Sequence, residues 1–350
     1  VDATPAPTRY ARQTRVEGIG EEGQSRLGAS HALIVGVGAL GCVSADLLAR
    51  AGVGTLTLVD RDLVDRTNLH RQTLYTDDDA NERRPKALAA RERLAAANPQ
   101  ITIRARVMDF TPARARGLVD ELGTPDVLID GTDNFATRYL LNDLAVAHAI
   151  PFVYGGAIGA SGSIGVFMPD DGPCLRCLAP DPPPAGSQPT CESVGVLAPA
   201  SAMVGAEQAA EAIKILLGLR ERVGRSLRSF DLWSNTRSCV SLERARDPGC
   251  ICCVRGVYSF LEAETDAPGH LCGRSAVQVS PRSGSSVDLD RVAASMGLSD
   301  REKGARVVRG RVEHAGATLE FIAFDDGRAI VEGTDDAALA RSVYDRYIGT

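Results

Sequence analysis

Apolar residues along this chain come in short blocks, and the blocks alternate between strand-like and helix-like spacing. HALIVGVGALG (31–41) opens on an apolar run and breaks into glycines, and CVSADLLARAG (42–52) then places its apolar residues on one helical face. Thr55–Val59 is a second buried strand that ends at Asp60, and residues 78–97, rich in Ala, Arg and Glu, predict one helix. ITIRARV (101–107) alternates like a strand, PDVLIDGTDN (125–134) runs from a strand into a polar turn, and 136–149 is helical. Strands at 151–157 and 163–169, an amphipathic helix at 201–219 and a hairpin over 227–235 and 237–243 complete this part. The alternation predicts an α/β fold, a Rossmann-like, mostly parallel sheet with helices on both faces.

PDPPPAGSQPT (180–190) is too rich in proline for regular structure and predicts an exposed crossover loop, 178–195. Composition shifts after Val254. The tail reads strand (275–280), helix (287–296), three strands (305–314, 317–324, 328–332) and helix (335–347), with DDG (325–327) as a hairpin turn. The expected organisation is a large domain over 1–256, a linker over 257–270 and a small C-terminal α+β domain over 271–350.

The bulk composition narrows the function. A net charge of -6 and a pI near 5.5 leave no basic field over the chain, so nucleic acid is not an expected partner. No run of 18 apolar residues predicts a membrane span, and VDATPAPTRYARQ lacks the pattern of a secretory signal. The expected compartment is cytoplasmic. The nine cysteines are clustered, which in that compartment points to metal binding or reactive thiols before disulfides.

Gly36, Gly38 and Gly41 form G-x-G-x-x-G between a predicted strand and a predicted helix, and Asp60 follows Gly41 by 19 residues. Glycines there let backbone N–H groups and a helix N-terminus approach phosphate, and the acid reaches ribose hydroxyls. The motif alone suggests NAD. Asn68, Arg71 and Gln72 follow the second strand, however, and Arg83, Arg84 and Lys86 come next. A triphosphate needs such cations more than a dinucleotide does, although each taken alone also reads as a solvated charge. Asp130 and Asp133 lie at a strand end, where a carboxylate can hold Mg²⁺ on phosphates or cap the next helix. Cys174-x-x-Cys177 and Cys250-x-x-Cys253 supply four soft ligands for a structural, tetrahedral Zn²⁺, with two redox pairs as the alternative. Cys191 follows the proline-rich loop as a candidate nucleophile.

RYARQ (9–13), GVGALG (36–41), VD (59–60), NLHRQ (68–72), PK (85–86), DGTDN (130–134), CLRC (174–177), TCESVGV (190–196), the A-x-E-x-I-K pattern within 207–214 and PGCICC (248–253) occur in order. Over 9–254 the chain thereby resembles the ubiquitin-activating (E1-like) superfamily, in particular sulfur-carrier-protein adenylyltransferases of the ThiF/MoeB/HesA type. The resemblance implies that the C-terminal glycine carboxylate of a ubiquitin-like carrier ending in Gly-Gly attacks the α-phosphate of ATP. It implies Asp130 as the Mg²⁺ and catalytic carboxylate, Arg71 and Lys86 as cations on the phosphates, and Arg12 reaching into the other subunit of a homodimer. Nucleotide contacts fall to Gly36, Gly38, Gly41, Asp60, Asp62, Asn68, Gln72, Asp130 and Asn134. The resemblance also implies Zn²⁺ on Cys174, Cys177, Cys250 and Cys253, and at Cys191 either thioester or acyl-persulfide chemistry with the carrier or a dispensable thiol.

The RRPK stretch is more basic than a bare PK element, so Arg83 and Arg84 either add to triphosphate binding or face water. Residues 257–350 are too short for a rhodanese domain, which points to a separate sulfur donor. Two other readings stay open: an NAD-dependent oxidoreductase, which leaves Arg71, Lys86 and DGTDN unexplained, and a non-catalytic scaffold for a ubiquitin-like partner.

Overall fold

The computed structural model describes residues 9–184, 187, 190–263, 275–279, 281, 287–298 and 306–349. Internal contacts divide the chain into two units, Val1–Glu264 and Thr265–Thr350.

In the first unit, α1 (Gly20–Ala29), β1 (His31–Val35), α2 (Ala39–Ala51), β2 (Thr55–Asp60), α3 (Asp77–Asn81), α4 (Lys86–Ala97), β3 (Thr102–Val107), α5 (Pro112–Leu122), β4 (Val127–Asp130) and α6 (Phe135–Ala147) alternate along the chain. They are followed by β5 (Phe152–Ile158), β6 (Ser161–Phe167), the short turns α7 (Leu175–Leu178) and α8 (Cys191–Val194), α9 (Ala198–Leu216), β7 (Ser226–Asp231) and β8 (Thr236–Ser241). The eight strands form one sheet in the order β3-β2-β1-β4-β5-β6-β7-β8. The first five are parallel and β6, β7 and β8 join antiparallel. Both faces of the central strands are covered, which is why β1 and β4 read as unbroken apolar runs. Ala32, Ile34, Leu56, Leu58 and Ile129 pack with residues of α2, α4 and α9. Leu33, Val35, Val59 and Leu128 pack with residues of α5 and α6.

One expected helix is two. Residues 78–97 divide into α3 and α4 because Pro85 disfavours helical backbone before it and Arg83 takes a left-handed φ of 53°. Thr76 and Asp79 close a capping box on α3. Lys86 thereby becomes the first residue of a new helix instead of a mid-helix surface charge. Helices α1 and α5 carry no expectation from the sequence pattern; each is polar on average.

The second unit is a four-stranded antiparallel sheet of β9 (Ala276–Val279), β10 (Val307–His314), β11 (Ala317–Phe324) and β12 (Ala329–Glu332), in the order β10-β11-β12-β9. Helices α10 (Leu289–Ser295) and α11 (Ala337–Tyr347) bury Leu289, Val292, Val343 and Tyr344 against Val277, Leu319, Phe321 and Val331. No helix among the described residues is long and apolar enough to cross a membrane.

Candidate active site

The glycine loop joins β1 to α2 and lies against the loop after β4. Gly36 has φ +86°, and a Cβ on Gly131 would lie 2.1 Å from the Gly36 carbonyl oxygen. A Cβ on Gly41 would lie 1.9 Å from the same oxygen. Backbone therefore packs on backbone here, and nothing larger than hydrogen fits. Asp60 closes the loop from β2: its Oδ2 accepts the Val37 N–H (2.7 Å) and its Oδ1 the Asp62 N–H (2.7 Å). Burial pushes the Asp60 carboxyl up to about 6, against the opposing pull of Lys86. Gln72 is buried beside Gly38, and its Oε1 has no hydrogen-bond partner. An orphaned acceptor next to a side-chain-free cradle fits a nucleotide whose own donors complete the site. Cys42, behind the loop, donates to the Val37 carbonyl and is driven up to about 12 by burial, so it is packing and not chemistry.

Beyond β2 the charges form a chain. Lys86, almost fully buried, pairs with Asp62 at 2.9 Å. Burial pulls its ammonium down, but Asp62 and Asp60 outweigh that and hold it above the ordinary lysine value. Arg61 bonds Asp109 at 3.0 Å and approaches Asp62 at 3.6 Å. Arg61 and Asp109 carry no sequence expectation, because Asp109 comes from the loop after β3. Arg71 folds back onto the Thr67 carbonyl (3.1 Å), and the Asn68 side chain has no hydrogen-bond partner among the described residues. Arg83 and Arg84 belong to the scaffold. Arg83 pairs with Asp65 (3.4 Å), and Arg84 pairs with Asp79 (3.0 Å) and Glu92 (2.6 Å).

The loop after β4 gives its two carboxylates different surroundings. Asp130 is fully buried: its Oδ2 meets Arg138 Nε at 2.7 Å, and its Oδ1 accepts the Thr132 N–H (3.0 Å) and hydroxyl (2.6 Å). Asn134, expected at the nucleotide, is the N-cap of α6 and accepts the Thr137 N–H at 2.8 Å. Asp133, the other reading of the helix cap, is instead exposed, and its charge is felt by Lys86, Arg61 and Arg138 together. Asp133 is thus the exposed acid of the motif, while Asp130 is taken up by Arg138. The signal for it was present in DGTDN, but strand-end position alone does not separate the two acids.

A model described as the ThiF family matches residues 10–252. The chain belongs to the ThiF family. It is similar over almost its whole length to the sulfur carrier protein ThiS adenylyltransferase of Bacillus subtilis (strain 168), with 38% identity over 342 residues, 97% of this chain and 99% of that protein. The sulfur carrier protein adenylyltransferase of Thermus thermophilus is 40% identical over 250 residues, covering 70% and 90%. Among solved structures, Escherichia coli MccB with ATP superposes with a TM-score of 0.60 at 20% identity, over 70% of this chain and 74% of that one, a likeness of fold.

In this ThiF-family chain, the two C-x-x-C pairs converge. The Sγ atoms of Cys174, Cys177, Cys250 and Cys253 all lie within 4.8 Å of one another. Neighbouring sulfurs stand at 4.0, 3.7 and 3.4 Å, close to the edge of about 3.8 Å that Zn–S bonds of ~2.3 Å give a regular tetrahedron. The set fits Zn²⁺ with no position left for water. Helix α6 anchors it: Asn142 accepts the Leu175 N–H (2.8 Å), and Asp143 accepts the Cys252 thiol (3.3 Å) and the Phe260 N–H (2.9 Å). Cys252 is therefore a fifth, supporting thiol. The crossover loop is tied at both ends, by Tyr139 to the Ala179 and Asp181 carbonyls and by Leu197 to the Gly159 carbonyl. Cys191 starts α8 behind a Thr190 cap; its side chain lies outside the described residues, as does all of Cys272.

Arg12 stands apart from this cluster. Tyr10 packs on Gly52 and bonds Asn98 (2.9 Å), and Gln13 bonds the Ala51 carbonyl (2.8 Å), so exposed Arg12 sits at the C-terminal end of α2. The glycine loop is at the other end, about 20 Å away along a 13-residue helix.

Proposed function

We propose that this protein is an ATP-dependent adenylyltransferase that activates the C-terminal carboxylate of a ThiS/MoaD-like sulfur-carrier protein. The observation that carries the reading is the meeting of the glycine loop, Asp60, Lys86 and Asp133 at one sheet edge, in a chain alike end to end to a ThiS adenylyltransferase. Asp60 has acceptor capacity for a ribose hydroxyl while it braces the glycine loop. Lys86 and Arg71 neutralise phosphate charge, Asn68 donates to phosphate oxygens, and the Gln72 Oε1 accepts from a donor of the nucleoside. Asp133, not Asp130, is the carboxylate for Mg²⁺. Bound there, Mg²⁺ supplies further neutralisation of the phosphates.

The carrier carboxylate is already ionised at neutral pH, so no general base is needed. A carboxylate oxygen forms the bond to the α-phosphorus, the bond to the bridging oxygen breaks, and pyrophosphate leaves with that electron pair. Catalysis is positioning and charge compensation between two anions. Lys86 is suited to this because its charge is held firmly yet shared with Asp62, which can release it to phosphate.

The separation of about 20 Å between Arg12 and its own glycine loop supports Arg12 acting in the nucleotide site of a second copy, and hence a homodimer. Zn²⁺ has a structural role, fixing the start of the crossover loop, and Cys191 on that loop takes the acyl group in a later sulfur-transfer step fed by a separate donor. A cytoplasmic setting belongs to the same proposal.

The test offers the purified protein small β-grasp proteins ending in Gly-Gly, with ATP and Mg²⁺. Intact mass should show carrier–AMP, and ATP–pyrophosphate exchange should require the carrier. A protein that binds ATP yet yields neither with any such carrier refutes the reading. An adduct at Cys191 that disappears in C191A, with adenylation intact, separates the two steps.

A further inference from the structure

Two acids sit three residues apart in DGTDN, the inner one fully buried and the outer one exposed. The inner one, Asp130, is bound on every side. Arg138 holds its Oδ2, Thr132 holds its Oδ1 through both N–H and hydroxyl, and Gln208 donates to its carbonyl at 2.7 Å. Arg138 continues outward: its Nη2 donates to the Thr132 carbonyl (3.2 Å) and the Gly155 carbonyl (2.9 Å), and its guanidinium lies over the Tyr154 ring at 4.8 Å. The backbone of Thr132 is therefore gripped at its N–H by Asp130 and at its carbonyl by Arg138. Asp133 is the next residue.

Arg138 is a buried cation, and it feels the charge of Asp133 as well as that of Asp130. A buried guanidinium needs a counter-charge. If Asp130 did not supply one, the nearest acid free to move is Asp133, and turning inward would remove it from the cations and from any metal ion.

We propose that Asp130 and Arg138 are a positioning pair that keeps Asp133 facing outward for the nucleotide's Mg²⁺, by neutralising each other. The proposal rests on the reading of Asp133 as the metal carboxylate given above. Asp130 touches neither nucleotide nor metal in it; its effect passes through Arg138 and Asp133.

The experiment is equilibrium binding of a non-hydrolysable ATP analogue at rising Mg²⁺, with a thermal melt of each variant. In D130N, Arg138 keeps its charge and draws Asp133 inward. If Asp133 is then outward about a tenth of the time, the Mg²⁺ needed for half-maximal binding rises on the order of tenfold, while Mg²⁺-free binding stays as in the wild type. In D130N/R138Q the cation is gone, Asp133 is released, and the Mg²⁺ requirement returns toward that of the wild type even though the melting temperature falls. A merely structural pair predicts that the double variant needs at least as much Mg²⁺ as D130N, and that result overturns the proposal. Should D130N not fold, the charge-neutral double variant still tests the proposal, because a tenfold rise in its Mg²⁺ requirement overturns it. D133N is the reference. It should lose the Mg²⁺ dependence; if it does not, the metal reading of Asp133 fails and takes this inference with it. If D133N loses that dependence while D130N binds as the wild type does, only the positioning pair fails.

Discussion

Lowering the pH should weaken nucleotide binding through one residue, Asp60. Its carboxyl is pushed up to about 6 because burial removes water from the charged form faster than Lys86 restores it. Binding needs the ionised form, which accepts the Val37 and Asp62 N–H groups and a ribose hydroxyl at once. At pH 5 only about one molecule in eleven is ionised, and at pH 7.5 nearly all are, so the dissociation constant should rise about tenfold between them. The assay is calorimetric titration with a non-hydrolysable ATP analogue from pH 5 to 8. ATP phosphates also titrate in this range, so D60N is run beside the wild type. The Asn side chain must turn its NH₂ toward one of the two backbone donors, which costs about 1–3 kcal/mol and weakens binding at neutral pH. Its excess pH dependence should vanish. The sign for stability runs the opposite way from that of a salt-bridged acid. The native state holds its proton to higher pH than the unfolded chain, so this group's contribution is lost as pH rises from the ordinary carboxylate range through about 6. Equal slopes for wild type and D60N would refute the assignment of the pH dependence to Asp60.

Three further outcomes are expected. Gly41→Ala places a Cβ 1.9 Å from the Gly36 carbonyl; the loop must open, at a cost of about 1–3 kcal/mol in melting experiments and with loss of nucleotide binding in the same titration. Stripping Zn²⁺ with a chelator, or C177S, should lower the melting temperature and expose the 174–181 segment to proteolysis while the glycine loop still binds nucleotide; unchanged melting would remove the structural role of the metal. Mixing inactive R12A and K86A proteins should restore about a quarter of wild-type exchange activity, because half of the dimers are mixed and each holds one complete site; no recovery after subunit exchange would argue against Arg12 acting across the dimer.

Much of this protein was legible from local pattern. The β–α alternation, the glycine motif at the first βα turn and the two C-x-x-C pairs depend on neighbours a few residues apart, and periodicity and spacing record such neighbours without a fold in hand. The breaking of 78–97 into two helices was also written locally, in Pro85, but the run of Ala, Arg and Glu around it masked the break. The division of labour between Asp130 and Asp133 was not legible, since both stand at the end of β4 in the same motif. It was decided when α6 brought Arg138, eight residues on, under the strand end: a buried cation captured the nearer acid and left the other to the open side. Arg61 acquired its setting from Asp109 and Arg83 from Asp65, partners brought in by chain crossings, whereas Arg84 pairs with Asp79 and Glu92 close by in the chain. A charge can be read from sequence, but what it does depends on which opposite charge reaches it first, and that distance exists only in the folded chain.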